Sequence, residues 1–157
     1  MQTAWDIYQD HLDVTSRALW ARDYGTAAEL VQYPHEVVIG DSLARSEDPA
    51  KMIERLRALR ESLENLAATA YHRLAKQVDF APDNPDTILG EHEVYVLRGA
   101  TYAITPYRTS NILDRIDGRW LCRRSRIHET PRGLHYGTPL IKLSAPDAAD
   151  ARNGDPT

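Results

Sequence analysis

Near residue 68 the hydrophobic period of the chain changes, and that change dictates most of what it can fold into. Before it, apolar side chains recur at steps of three and four: Trp5, Tyr8, Leu12, Thr15 and Leu19, then Met52, Leu56, Leu59, Leu63 and Leu66. That is the repeat of helices with one buried stripe. After it, residues 69–80, 87–98, 101–116 and 119–129 are rich in Val, Ile, Tyr and Thr and alternate in places, as strands do. The breaks between them are Pro82-Asp83-Asn84-Pro85-Asp86, Arg98-Gly99-Ala100 and Asp117-Gly118. Each is turn chemistry, and Asp-Gly is the strongest hairpin signal of the three. Four consecutive strands with short connections make an antiparallel meander.

The helical half has its own punctuation. A first helix spans residues 3–21. Asp23 caps a short second helix from Tyr24 to about Val31, and Tyr33-Pro34 ends it, because the residue before a proline is pushed out of the helical region. A short strand is expected over Glu36 to Ile39, then a turn at Gly40-Asp41. Asp48-Pro49 is a helix start, a capping carboxylate followed by proline at the first position, and this third helix runs to about Asn65 or Leu66. The sum is an α+β layout: three N-terminal helices packed in the concave face of a curved, mainly antiparallel sheet, a cone-shaped barrel whose open end is a natural pocket. One domain is expected over residues 1–143. Residues 144–157 carry almost no apolar side chains and read as a disordered tail.

Composition narrows the function classes. The chain has 157 residues, enough for one domain with a real core. Its net charge of -4 argues against a nucleic-acid partner. Arg119, Arg123, Arg124 and Arg126 cluster in sequence, but a strand divides them between two faces. The single cysteine, Cys122, excludes an internal disulfide and a multi-thiolate metal site. The histidines are scattered without a helical pair, so no metal is expected, and no phosphate-cradling glycine loop is present. No apolar run is long enough for a leader or a membrane span, so a cytoplasmic protein without membrane contact is expected.

The order of elements resembles the nuclear transport factor 2-like superfamily, the cystatin-like α+β cone. The features that carry the resemblance lie over residues 3–129. They are the opening helix ending in Ala18-Leu19-Trp20-Ala21-Arg22-Asp23, the short helix into Tyr33-Pro34, the capped third helix, and the hairpin Asp114-Arg115-Ile116-Asp117-Gly118-Arg119-Trp120. Within that superfamily the chain looks most like the SnoaL-like polyketide cyclases. Their third strand carries Gly-x-His, here Gly90-Glu91-His92, and their fourth carries an acid seven residues before the hairpin glycine, here Asn111 before Gly118. Ketosteroid isomerases also keep an essential acid near this point. Their other acid falls near Ile39 and their helix-1 tyrosine near Thr15, and neither is matched. The resemblance implies a pocket that faces Asn111 and needs no cofactor. An amide cannot take a proton from carbon as a carboxylate does, but it can donate to an oxyanion or accept from a hydroxyl.

The candidate catalytic residues are therefore His92 and Asn111. In a strand Glu91 and Glu93 point away from His92, so the three are not a metal cluster. His92 is an acid/base inside the cone or a buried histidine bonded to its neighbour strand; Asn111 is a pocket hydrogen-bonder or an interior amide that fixes register. Candidate ligand-binding residues are Tyr8 on the first helix, Tyr33 and His35 around the proline, His72 on the face of Ala70 and Leu74, and Arg108 and Arg126 on adjacent strands. Each has a plainer reading: core packing for Tyr8, loop packing for Tyr33 and His35, a sheet-face histidine for His72, and ion pairs with Glu91, Glu93 or Asp114 for the arginines. Two functions stay open. One is a cofactor-free cyclase, isomerase or dehydratase acting on a small hydrophobic or carbonyl-containing ligand. The other is a non-catalytic homodimeric module that binds through the sheet, with Tyr95, Leu97, Tyr107 and Trp120 on the buried face.

Overall fold

The structure, a computed structural model, describes residues 2–129, 131–134 and 141–142. Helix α1 (Ala4–Trp20) opens on a capping box. Thr3 Oγ1 accepts from the Asp6 N–H and the Asp6 carboxylate accepts from the Thr3 N–H, each at 3.1 Å. A cap of this kind is worth ~1 kcal/mol. The buried stripe is Ala4, Tyr8, Leu12 and Leu19, whereas Trp5 is 45% exposed, so the stripe begins one residue earlier than its spacing suggests. Asp23 caps α2 (Tyr24–Ala28), and Asp48 caps α3 (Pro49–Asn65) by accepting the Lys51 N–H at 2.9 Å.

The second helix is shorter than expected, and the strand after it is longer. Strand β1 covers Val31–Ile39, so Tyr33-Pro34, a cis peptide, lies inside a strand and does not terminate a helix. The ladder explains how the proline fits. β1 runs parallel to the strand that follows the Asp-Gly turn, and the pairing breaks between Val31 and Glu36. A proline without an N–H is accommodated where no ladder bond is needed. The turn at Gly40 leads into β2 (Ser42–Ser46), a strand too short and polar to have a signal of its own.

The remaining strands are β3 (Ala70–Ala81), β4 (Asn84–Arg98), β5 (Thr101–Tyr102), β6 (Tyr107–Ile116), β7 (Arg119–Ile127) and β8 (Ile141–Lys142). The path is β3-β4-β6-β7-β1-β2-β8, with β5 pairing off β4. The expected meander is present, and the parallel β1–β7 contact makes the curved sheet mixed. Most of the expected loop at residues 82–86 is strand, because the turn needs only Pro82 and Asp83. Asp117 (φ 52) and Gly118 (φ 79) form the hairpin that Asp-Gly foretells. Register shifts at Ala75/Gln77 and Phe80/Ala81 in the β3–β4 ladder and at Ile112/Leu113 in the β6–β7 ladder are irregularities of the kind that bend a sheet. The expected tail at 144–157 lies outside the described residues.

The register sets the inner face in rows. Gly90, Asn111 and Ser125 pair across β4, β6 and β7, and His92, Thr109 and Ile127 form the next row. Tyr8 of α1 lies over the first row. A Cβ added at Gly90 would meet the Tyr8 ring at 2.1 Å, and Tyr8 is fully buried. Gly90→Ala is therefore expected to destabilise the fold by about 1–3 kcal/mol in urea denaturation, as overpacking does. Adding Tyr8→Leu to Gly90→Ala should recover part of that loss, which a double-mutant cycle measures directly.

Candidate ligand site inside the cone

Helices and sheet enclose a cavity of about 140 Å³. Its lining interleaves aliphatic side chains, Leu19, Val37, Leu56, Leu59, Val94 and Ile127, with His11, His35, Arg55, Arg73, His92 and Asn111. No aspartate or glutamate lines it among the described residues.

His92 is 1% exposed, and its Nδ1 lies 2.7 Å from the Tyr8 hydroxyl. Burial holds the imidazolium form well out of reach, and the charge of Arg73 adds to the effect. Burial likewise pushes the Tyr8 phenol far above its ordinary value. Both groups are therefore neutral at pH 7. With the neutral phenol as the donor to His92 Nδ1, the imidazole proton sits on Nε2. This nitrogen has no partner in the protein.

Asn111, 4% exposed, is held from the next strand: Ser125 Oγ donates to its Oδ1 at 2.7 Å. The acceptor end is thus engaged, and the amide NH₂ is the end left for a ligand. His11 Nε2 donates to the Leu30 carbonyl at 3.0 Å, which makes Nδ1 an unpartnered lone pair; burial lowers its pKa to about 4. His35 is 2% exposed and also kept neutral, by burial first and by the Arg55 charge second; its Nδ1 has no partner. Cys122 faces the cavity with its thiol pKa raised by burial. Among the described residues no group of three or more His, Cys, Asp or Glu side chains could hold a metal ion.

No family model matches the sequence, and no curated protein does. Solved structures match the fold. A domain of unknown function with a cystatin-like fold from Nostoc punctiforme aligns with a TM-score of 0.62 at 11% identity, over 83% of this chain and 80% of its own. A nuclear transport factor 2-like protein of unknown function from Shewanella oneidensis aligns with a TM-score of 0.59 at 10% identity, over 78% and 96%. This chain has the cystatin-like cone fold of the nuclear transport factor 2-like proteins. A hexachlorocyclohexane dehydrochlorinase shares it, with a TM-score of 0.54 at 13% identity over 88% of each chain. At such identities the likeness extends to the fold alone. No helix among the described residues is long and apolar enough to cross a membrane.

Of the residues singled out from sequence, His92, Asn111 and His35 line the cavity. Tyr8 stands behind His92 as its hydrogen-bond partner. Tyr33 is half-buried and donates its hydroxyl to the Ala28 carbonyl, away from the lining. His72 is exposed on the far side of β3. Arg108 and Arg126 are on the outer face and not in the cone. Arg108 takes its plainer reading, lying 3.6 Å from Glu91 and 3.8 Å from Glu93. Arg126 borders a separate outer depression of about 510 Å³ with Glu91, Ser110 and His128. That depression is larger, but the cone is where buried nitrogens lack partners. Alternation explains these placements, since residues of one parity on β6 and β7 face out. His11, Arg55 and Arg73 were missed. His11 lies between Tyr8 and Thr15 at helical steps of three and four, Arg55 follows Met52 by three, and Arg73 alternates with Tyr71 and Ala75, so the pattern was there to read.

Three buried neutral histidines make stability depend on pH. Below about pH 6.5 the unfolded chain binds protons that the native state refuses, until each native group titrates: His11 at about 4, and His35 and His92 well below the ordinary value. Stability is therefore full above that window and falls as pH drops through it, by about 1.4 kcal/mol per pH unit for each histidine. Chemical denaturation at a series of pH values should show this slope, with His11→Asn reducing it by roughly one histidine's share.

Proposed function

We propose that this chain binds a small carbonyl-containing organic molecule inside the cone, and that it can act on that molecule without a cofactor, as a cyclase, isomerase or lyase does. One observation carries the reading: His92 Nε2, a buried donor on a side chain that lines the cavity, has no protein partner. Leaving such a group unsatisfied costs about 1–3 kcal/mol, which a ligand oxygen recovers. The Asn111 amide supplies a second donor from the neighbouring row. Two neutral donors on one carbonyl oxygen stabilise a developing enolate, and in enzymes each such donor is worth about 3–4 kcal/mol to the transition state. Tyr8 positions His92 and fixes its tautomer. Among the described residues no carboxylate lines the cavity, so proton acceptance falls to an imidazole lone pair, and His11 Nδ1 is one without a partner.

Size limits the ligand. An apolar cavity of about 150 Å³ accepts benzene, so this one suits a single ring or a short chain. A multi-ring polyketide requires the cone to open. The assembly reading has less behind it. Tyr107 lines the cavity and Trp120 packs against the Tyr8 and Leu12 cluster, so two of the four residues expected on a dimer face point inward. Tyr95 and Leu97 remain half-buried on the outer face.

A thermal-shift screen of cyclic ketones, small aromatic carbonyl compounds and short carboxylates tests the proposal. A ligand at a hundred times its Kd should stabilise the native protein by ~2.7 kcal/mol. The shift should vanish in Asn111→Leu, and His92→Ala should stay folded while losing any turnover. If no compound shifts either folded protein, the pocket reading is wrong and assembly through the sheet becomes the better account.

A further inference from the structure

Arg73 is the group in the cone that neutral ligand chemistry leaves unexplained. It rises from β3 opposite Val94, a lining residue, and lines the cavity itself. Its Nε donates to Ser16 Oγ at 2.8 Å, and its Nη2 donates to the Leu12 carbonyl at 3.1 Å and to the Thr15 hydroxyl. Every one of these partners is neutral. Among the described residues no carboxylate lies within ion-pairing distance of it. Arg73 is half-buried, shared between the cavity and an outer depression beside Asp13, and its hydrogen bonds to α1 supply no counter-charge. The same charge bears on His92, His11, Tyr8 and Tyr71, so its field fills the cavity. Arg55 adds a second cation to the lining from α3. Among the described residues the chamber thus combines positive charge, a donor without a partner at His92 Nε2 and no acid.

We propose that the natural ligand of the cone is a small organic anion, a monocarboxylate of about the size of benzoate, whose carboxylate is received by Arg73 while its body lies against the aliphatic side chains of the lining. The proposal rests on the cone being a ligand site and names the ligand class. The carboxylate would supply the counter-charge, and one of its oxygens, or a carbonyl beside it, would take the His92 Nε2 proton donor. Recognition of this kind disfavours the neutral amide of the same shape, because only the charged group makes a charge-assisted, bidentate pair with the guanidinium.

Isosteric pairs test this: benzoate against benzamide, and cyclohexanecarboxylate against cyclohexanecarboxamide, by isothermal titration of the full chain. Each carboxylate should bind at least about tenfold more tightly than its amide. Arg73→Gln should bring the two members of a pair to within about twofold, Arg73→Lys should keep the preference, and Asn111→Leu should abolish binding of both. Arg73 ties α1 to β3, so Arg73→Gln may not fold; the wild-type comparison decides the question alone. Amides that bind as well as the acids overturn the anion assignment and leave the pocket standing. Failure of all four compounds at millimolar concentration overturns both. A preference that survives in folded Arg73→Gln takes the role away from Arg73, and binding that survives Asn111→Leu places the anion outside the cone.

Discussion

The contact on which the rest depends is the one between Tyr8 and the empty space at Gly90. A phenol on α1 can lie flat on the sheet only where the strand beneath has no side chain, since a Cβ there would enter the ring. With the ring seated, its hydroxyl reaches the next row and meets His92 at 2.7 Å. That hydrogen bond fixes which imidazole nitrogen carries the proton and leaves the other nitrogen for the cavity. A glycine and a histidine two residues apart on β4 and a tyrosine from α1 therefore act as one device. The Gly-x-His stretch of β4 is its sequence trace: the glycine admits the helix residue and the histidine receives its hydrogen bond.

The second constraint is electrostatic. Burial keeps His11, His35 and His92 uncharged, and two arginines supply the positive charge of the lining. Carboxylates sit instead on the outer face, where Glu36, Glu91 and Glu93 meet Arg45, Arg124 and Arg108. These exposed pairs contribute little to stability, and strand alternation keeps their carboxylates on the face away from the chamber. The position where the sequence resemblance leads one to expect an acid holds Asn111, tied by Ser125. The chamber is thereby suited to receiving negative charge, either as a ligand anion or as an oxyanion formed during reaction, and poorly suited to abstracting a proton with a carboxylate.

Much of this was legible in the sequence. The change of period at residue 68, the capping residues Asp23 and Asp48, and the Asp117-Gly118 turn are local signals, and the structure keeps each of them. The inward placement of His92 and Asn111 follows from alternation. What escaped depends on contacts between distant segments. Counted back from the hairpin turn, Arg124 would face Asn111; the extra residue Arg123 at the bulge puts Ser125 there instead. Pro34 was read as a helix breaker, because its tolerance in β1 depends on a gap in pairing with a strand some ninety residues later. Trp120 and Tyr107 look like surface aromatics until the sheet's curvature turns them onto the helices. The proposed ligand class has no sequence signal, because Arg73 gains meaning only once its hydrogen-bond partners are seen to be neutral.

The most direct test of the account is the protonation and tautomer of His92, read from long-range ¹H–¹⁵N NMR spectra of the imidazoles between about pH 5 and about pH 8, where a free histidine titrates. The structure predicts a neutral ring with its proton on Nε2 throughout, and a change of tautomer populations in Tyr8→Phe. A His92 that titrates normally in that range, or one that carries its proton on Nδ1, would contradict the arrangement of Gly90, Tyr8 and His92 on which the proposed site is built.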